Sequence, residues 1–369
     1  MVVHGVSIEA DMPLSAYTSL GVGGAARYYA CVDRRQDIFT SVAWAQEHEL
    51  PLLILGGGSN LLVADRGFPG LVLRVGLRGL RYSQNGAVEI TAAAGEHWQR
   101  LVNLAIERRW AGIECLAGIP GLVGATPIQN VGAYGQEVRE TIAYVEVYDT
   151  RTGKTRTLVN EECGFTYRDS RFKSVERGRY IILSVTYRLR PEGSPTVRYA
   201  ELEQTLAHQG VTTPTLSDVR AAVLELRRKK SMLLMNGDPN GRSAGSFFIN
   251  PIIRPEEFTL LQAAIAPLLF PGEHIPNYPT DDGRVKISAA WLIERAGFTR
   301  GYSRGPVGLS TNHALAVVNH GGSTAAEVIA LARDIRNKVR DLFGITLVPE
   351  PTLVGLSLDE NEQPEKAWA

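Results

Sequence analysis

A protein of two or three domains that mixes strands and helices is what this sequence predicts, and three observations predict it. At 369 residues the chain is longer than one ordinary core organises. Short apolar runs rich in β-branched and aromatic residues alternate with amphipathic helical stretches. Its first glycine loop leads back into a strand pattern, which fits neither a Rossmann unit nor a P-loop. Composition agrees with a soluble globular protein: 44% of residues are hydrophobic and 21% charged. The 39 basic and 39 acidic residues cancel, which argues against a nucleic-acid partner by bulk electrostatics. Cys31, Cys115 and Cys163 fit no disulfide framework and no zinc spacing, so a reducing compartment and no metal are expected. The N-terminal MVVHGVSIEADMPL has no signal-peptide pattern, and no run is long enough to span a membrane. A cytoplasmic protein without membrane insertion is expected.

Taken in order, Ala26–Val32 reads as a strand and Ile38–His48 as a helix. Leu52–Leu55 is a buried strand that runs into Gly56, Gly57, Gly58, Ser59 and Asn60, then into the strand Leu61–Val63. Gly70–Val75 and Val88–Ala94 are strands, and Trp98–Arg108 is a helix. Ala143–Asp149 and Thr155–Val159 flank Thr152-Gly153 as a hairpin. Tyr180–Arg190 is a strand. Val219–Lys230 is an amphipathic helix whose end, Arg227 to Lys229, reads as a solvated basic terminus favoured by the helix dipole. The turn cluster Asn236–Gly241 marks a boundary. Ser288–Ala296 is a helix and Ala314–Asn319 a buried strand. Ser323 caps a helix over Ala325–Phe343, and Leu347–Val354 closes the chain as a strand. The last dozen residues read as frayed.

The stretch around which the rest is organised is Ile113–Gly135, IECLAGIPGLVGATPIQNVGAYG. It has five glycines, two prolines and one charge, and so forms neither a long helix nor a regular strand. Either it presents bare backbone to a flat or anionic ligand, or it is a tight structural loop. Arg168 is open in the same way. Its guanidinium can clamp a carboxylate through two parallel N–H bonds, or pair with Asp169 in a surface turn.

Several strings then converge. They are Tyr17–Gly24 (YTSLGVGG), LILGGGSNLLV, IPGLVGATPIQNVGAYG, Tyr167–Lys173 (YRDSRFK), Ser243–Pro251 (SAGSFFINP) and Pro349-Glu350-Pro351. In this order they resemble the UDP-N-acetylenolpyruvoylglucosamine reductases, flavoenzymes of bacterial peptidoglycan synthesis. Tyr199, in VRYAEL, resembles the tyrosine loop of the first type of that family. The resemblance implies the FAD-binding fold of the vanillyl-alcohol oxidase class plus a third, substrate-binding α+β domain. Its parts would be residues 1–76 with 346–369, residues 77–230, and residues 231–345.

It further implies an enolpyruvyl ether, UDP-N-acetylglucosamine enolpyruvate, reduced with hydride from NADPH by way of non-covalent FAD, in an enzyme expected to be a monomer. Arg168 would clamp the substrate carboxylate, and Ser246 would donate the proton. Glu350, expected at an apolar strand end, would steady the enediolate either protonated or through a nearby cation. Gly56, Gly57, Gly58, Ser59, Asn60, Gly124, Gln129, Asn130 and Gly132 would face FAD. Tyr134, Tyr199, Lys230 and Asn250 would face the substrate. His313 is set aside as a surface loop residue. Two other readings are an FAD-linked oxidase of the same fold and a non-catalytic nucleotide-sugar or flavin carrier. Such oxidases often tether FAD through a histidine in the first glycine loop, and this loop has none. A carrier would not need Arg168, Ser246 and Glu350 together.

Overall fold

The computed structural model describes residues 1–269 and 272–359. A first sheet has the strand order Glu9–Pro13, Ala25–Val32, Phe68–Val75, Leu52–Leu55. Ala25–Val32 and Leu52–Leu55 both run parallel to Phe68–Val75, and Glu9–Pro13 closes the edge antiparallel. One face buries Ala30, Val32, Leu71 and Leu73 against Ile38 and Val42 of the helix Arg35–Glu47. The other face buries Ala26, Tyr29 and Val72 with Leu14 and Val354. The central strands Ala25–Val32 and Phe68–Val75 are therefore covered on both faces, which is why these runs are largely apolar, while the edge strand Glu9–Pro13 is exposed.

Leaving this sheet, the chain makes the glycine turn and enters Leu61–Val63 as expected. That short strand finds its parallel partner at the far end of the sequence, with Leu61 opposite Thr352 and Val63 opposite Val354. The last strand is shorter than Leu347–Val354. Only Thr352–Val354 is extended in a ladder, because Pro349 and Pro351 have no N–H to donate. Pro349 makes a single bridge to Phe248.

A second, antiparallel sheet runs Lys154–Val159, Ile142–Asp149, Tyr180–Pro191, Ala87–Ala93, Leu80–Asn85. Trp98–Glu107 and Leu216–Lys229 cover it with Leu101, Val102, Val219, Val223 and Leu226. The second helix begins three residues earlier than its apolar pattern suggests, because Thr215 and Asp218 form a reciprocal capping box. Ala200–His208 is a further helix, directly after Tyr199.

The remaining core gathers Phe247, Phe248, Leu292, Ile293, Val317, Val328 and Ile335. It is built from small sheets and the helices Pro255–Ile265, Ala289–Arg295 and Ala325–Phe343. The strand in Ala314–Asn319 is only Val317–Asn319, since Ala316 N–H turns back to the His313 carbonyl. Thr324, not Ser323, caps the long helix: its hydroxyl accepts from Glu327 N–H. Asp65 adds a carboxylate at the same terminus, accepting from Ala325 and Ala326 N–H at 2.7 and 2.8 Å, where the dipole favours negative charge. Among the described residues no helix is long and apolar enough to cross a membrane. The expected frayed end lies, from residue 360 on, outside the described residues.

Candidate active site

The two glycine loops meet. A Cβ on Gly57 would stand 2.9 Å from the Gly121 Cα, and one on Gly58, at φ +64°, would overlap the Tyr17 carbonyl. Side chains are excluded at both positions for these separate reasons. Ser59 Oγ ties the loops by donating to the Pro120 carbonyl at 3.2 Å. Together they wall a cavity of about 880 Å³, into which Gly56–Asn60, Gln129, Gly132, Tyr134, Arg168, Tyr199, Lys230, Ser246, Asn250 and Glu350 all face. A space of this size, lined on one side by bare backbone and small residues, fits a large flat dinucleotide such as FAD. Gly124 and Asn130 stand behind the wall. A Cβ on Gly124 would come within 2.7 Å of the Ala94 Cβ. Asn130 is buried, donating to Glu137 Oε2 and the Thr166 carbonyl at 2.9 Å. Both fix the loop's shape from outside the cavity.

Arg168 does not pair with Asp169. Held at φ +56°, a region uncommon for residues other than glycine, it turns inward. Its Nη2 donates to the Gly132 carbonyl at 2.5 Å, and its Nε lies 3.5 Å from Glu350 Oε1. Lys173 Nζ donates to the carbonyls of both residues, 3.3 Å to Arg168 and 3.2 Å to Glu350. Its burial pushes the ammonium pKa down. Glu350 is therefore not at an apolar strand end. It accepts from Gln129 Nε2 at 3.3 Å, its carbonyl accepts from Asn60 Nδ2 at 3.2 Å, and its N–H donates to the Phe247 carbonyl at 2.9 Å. Arg168 is the cation beside its carboxylate.

Ser246 follows Gly245, whose φ is +72°. Its hydroxyl makes no hydrogen bond to another described residue, leaving both its proton and its lone pairs to the cavity. At the other end Tyr134 and Tyr199 pack edge to face, 5.5 Å between centroids. Lys230 Nζ stands 5.9 Å from the Tyr134 ring centre and donates to Glu201 Oε2 at 2.5 Å. Burial raises both phenols, Tyr199 to about 12. Asn250 spends its Oδ1 on Ala289 N–H, 2.9 Å away, which leaves its amide N–H₂ to the cavity.

Three lining residues depart from the sequence reading. His313 is not on the surface: it forms part of the wall, and burial, then Lys230, push its pKa down to about 4. Arg227 is not solvated with Arg228 and Lys229. It lies four residues after buried Val223, a spacing that puts both on one helical face, and this phase was the available signal. Lys286 sits 5.1 Å from the Tyr167 ring centre, and burial lowers its ammonium pKa. It comes from a three-residue strand with too little periodicity to announce it.

His313 carries a pH prediction. Its folded pKa is below the usual value of about 6.5, so the unfolded chain binds more protons between about 4 and 6.5. The stability it contributes is complete above 6.5 and is lost as pH falls, to the extent of about 3 kcal/mol. The urea midpoint should fall more steeply from pH 6.5 to 4.5 in the wild type than in His313→Gln. Parallel curves would mean that His313 titrates as a free imidazole.

Comparison with known proteins bears on this arrangement. Residues 238–354 match the family described as UDP-N-acetylenolpyruvoylglucosamine reductase, C-terminal domain, and residues 26–158 match the FAD binding domain. A Thermobifida fusca protein named UDP-N-acetylenolpyruvoylglucosamine reductase is 48% identical over 95% of this chain and 99% of its own. A Saccharopolyspora erythraea protein of the same name is 44% identical over 96% and 98%. The crystal structure of UDP-N-acetylenolpyruvylglucosamine reductase from Thermus caldophilus superimposes with a TM-score of 0.63 at 26% identity, covering 94% of this chain and 98% of that one. The expected α+β FAD-binding fold with a further C-terminal domain is thus the fold observed. By full-length likeness and by both matched domains, the chain belongs to the UDP-N-acetylenolpyruvoylglucosamine reductase family.

Proposed function

We propose that this flavin-dependent oxidoreductase reduces the enolpyruvyl ether of UDP-N-acetylglucosamine to the lactyl ether in cytoplasmic peptidoglycan precursor synthesis, with NADPH as hydride donor and as the first-type member Tyr199 suggests. One observation supports it above the others. Arg168 and Glu350, remote in sequence, stand 3.5 Å apart in a wall that also carries Ser246 and both glycine loops. When bound, FAD carries hydride from NADPH to the substrate. The protein's part is electrostatic and acid–base. Arg168 binds the substrate carboxylate and takes the charge that moves into it. Glu350 holds the guanidinium in place, and Lys173 ties the backbones of both. Ser246 gives its proton to the carbon beside the carboxylate. A hydroxyl is a poor acid in water, but here the acceptor is strongly basic. Lys230 and Tyr199 face the diphosphate, with Tyr134 and Asn250 beside them. The two FAD-side units and the third unit correspond to residues 1–76 with 346–369, 77–230, and 231–345.

The test is a visible spectrum of purified protein. Flavin bands should bleach with NADPH and return with the enolpyruvyl substrate. A colourless protein, or one whose bands ignore both, would remove the reading. Since Gly56–Asn60 contains no histidine or cysteine, acid precipitation should leave the yellow colour in the supernatant. Colour retained by a denatured, washed pellet would show a covalent link.

A further inference from the structure

Arg227 is a cation in the cavity wall to which the described residues bring no anion. It sits in the last turn of the helix Leu216–Lys229 and lines the cavity beside Ile119 and Tyr134. Its Nη2 donates to the Met232 carbonyl at 2.8 Å, while its Nε is buried and has no hydrogen-bond partner among the described residues. Among the described residues no carboxylate pairs with it, and burial pushes its pKa down. Lys230, three residues on, differs in this respect: Glu201 already neutralises it at 2.5 Å. A buried guanidinium without a counter-charge is costly and leaves most of its five donors unused. The dipole of the helix end relieves only part of that cost. An exposed basic terminus would need no anion. This one is enclosed and turned toward a cavity wide enough to admit a ligand.

We propose that Arg227 is an anion-binding residue of this cavity and takes an oxygen of a ligand diphosphate through the guanidinium N–H groups that Met232 leaves free. This rests on the function proposed above, in which two such groups visit the cavity, one in FAD and one in the UDP-sugar. Arg227→Met keeps the length of the side chain and removes the charge. Arg227→Lys keeps the charge and removes the planar fork.

The experiment measures FAD affinity by flavin fluorescence, UDP affinity by calorimetry on FAD-saturated protein, and thermal melting as a control of folding. Arg227→Met should weaken one of the two ligands roughly thirtyfold, and Arg227→Lys the same ligand about tenfold. Loss confined to FAD assigns the cofactor diphosphate, and loss confined to UDP assigns the substrate's. Should the methionine variant fail to fold, the lysine variant decides alone. If the folded variants bind both ligands within about twofold of wild type, the proposal is wrong, whatever their melting temperatures. Wild-type protein that binds FAD but not UDP would overturn the substrate reading and leave the cofactor arm standing.

Discussion

Ser246→Ala should reduce its flavin with NADPH at the wild-type rate and then reoxidise very slowly with the enolpyruvyl substrate. The proton of Ser246 is needed only once hydride has reached the substrate, when the adjacent carbon becomes basic. NADPH oxidation precedes that moment and involves no such carbon. General acid catalysis is worth roughly 10²–10⁴-fold. The loss should lie at the upper end, because no other hydroxyl in the SAGSFF segment shares the position: Ser243 is buried and turned to Gly245 N–H. Substrate affinity should hardly change. Ser246→Cys should recover part of the rate, since a thiol is the stronger acid. Stopped-flow absorbance of the two half-reactions measures both quantities. If both slow equally, or neither slows, Ser246 is a turn residue and not the proton donor.

Arg168→Lys should be strongly impaired although it keeps its charge. Lysine cannot span Gly132 O, Glu350 Oε1 and a substrate carboxylate at once, because its ammonium is a point rather than a fork. Losing one charge-assisted contact that strengthens in the transition state costs ~3 kcal/mol, about a hundredfold in rate. The fall should appear in kcat for reduction of the enolpyruvyl group and not in NADPH oxidation. Near-normal turnover in the lysine variant would take Arg168 out of the clamp role.

Much of the fold was legible because strands covered on both faces are nearly continuous apolar runs, as in LLIL and GLVLRV. The return to a strand after Gly56–Asn60 was legible too, since Leu61–Val63 resumes a β pattern. What escaped has physical reasons. Ser323 and Thr324 are both competent caps, and only the backbone geometry chooses between them. The helix Ala200–His208 was hidden because it is short and buries only Leu202 and Leu206, too few apolar positions to mark a helical face. A strand through Pro349 and Pro351 was over-extended, although proline withholds the donor a ladder needs. In the site, the residue types were legible but their pairings were not. That Arg168 answers Glu350 rather than Asp169 depends on a φ of +56°, and that His313 faces inward depends on a turn closing on its own carbonyl.

The parallel pairing of Leu61–Val63 with Thr352–Val354 has a consequence for how the protein comes into being. Both glycine loops, Arg168 and Lys173 leave the ribosome long before Glu350 exists, and Asn60 waits across 290 positions for the carbonyl it holds. Throughout that interval the strand after the first loop has an open edge, and the guanidinium has Glu137 but not yet Glu350 beside it. A polypeptide released early by a stalled ribosome stays in that condition however well its first two sheets have formed. Catalytic competence is therefore conferred at the end of translation, so a cell gains no working enzyme from incomplete chains.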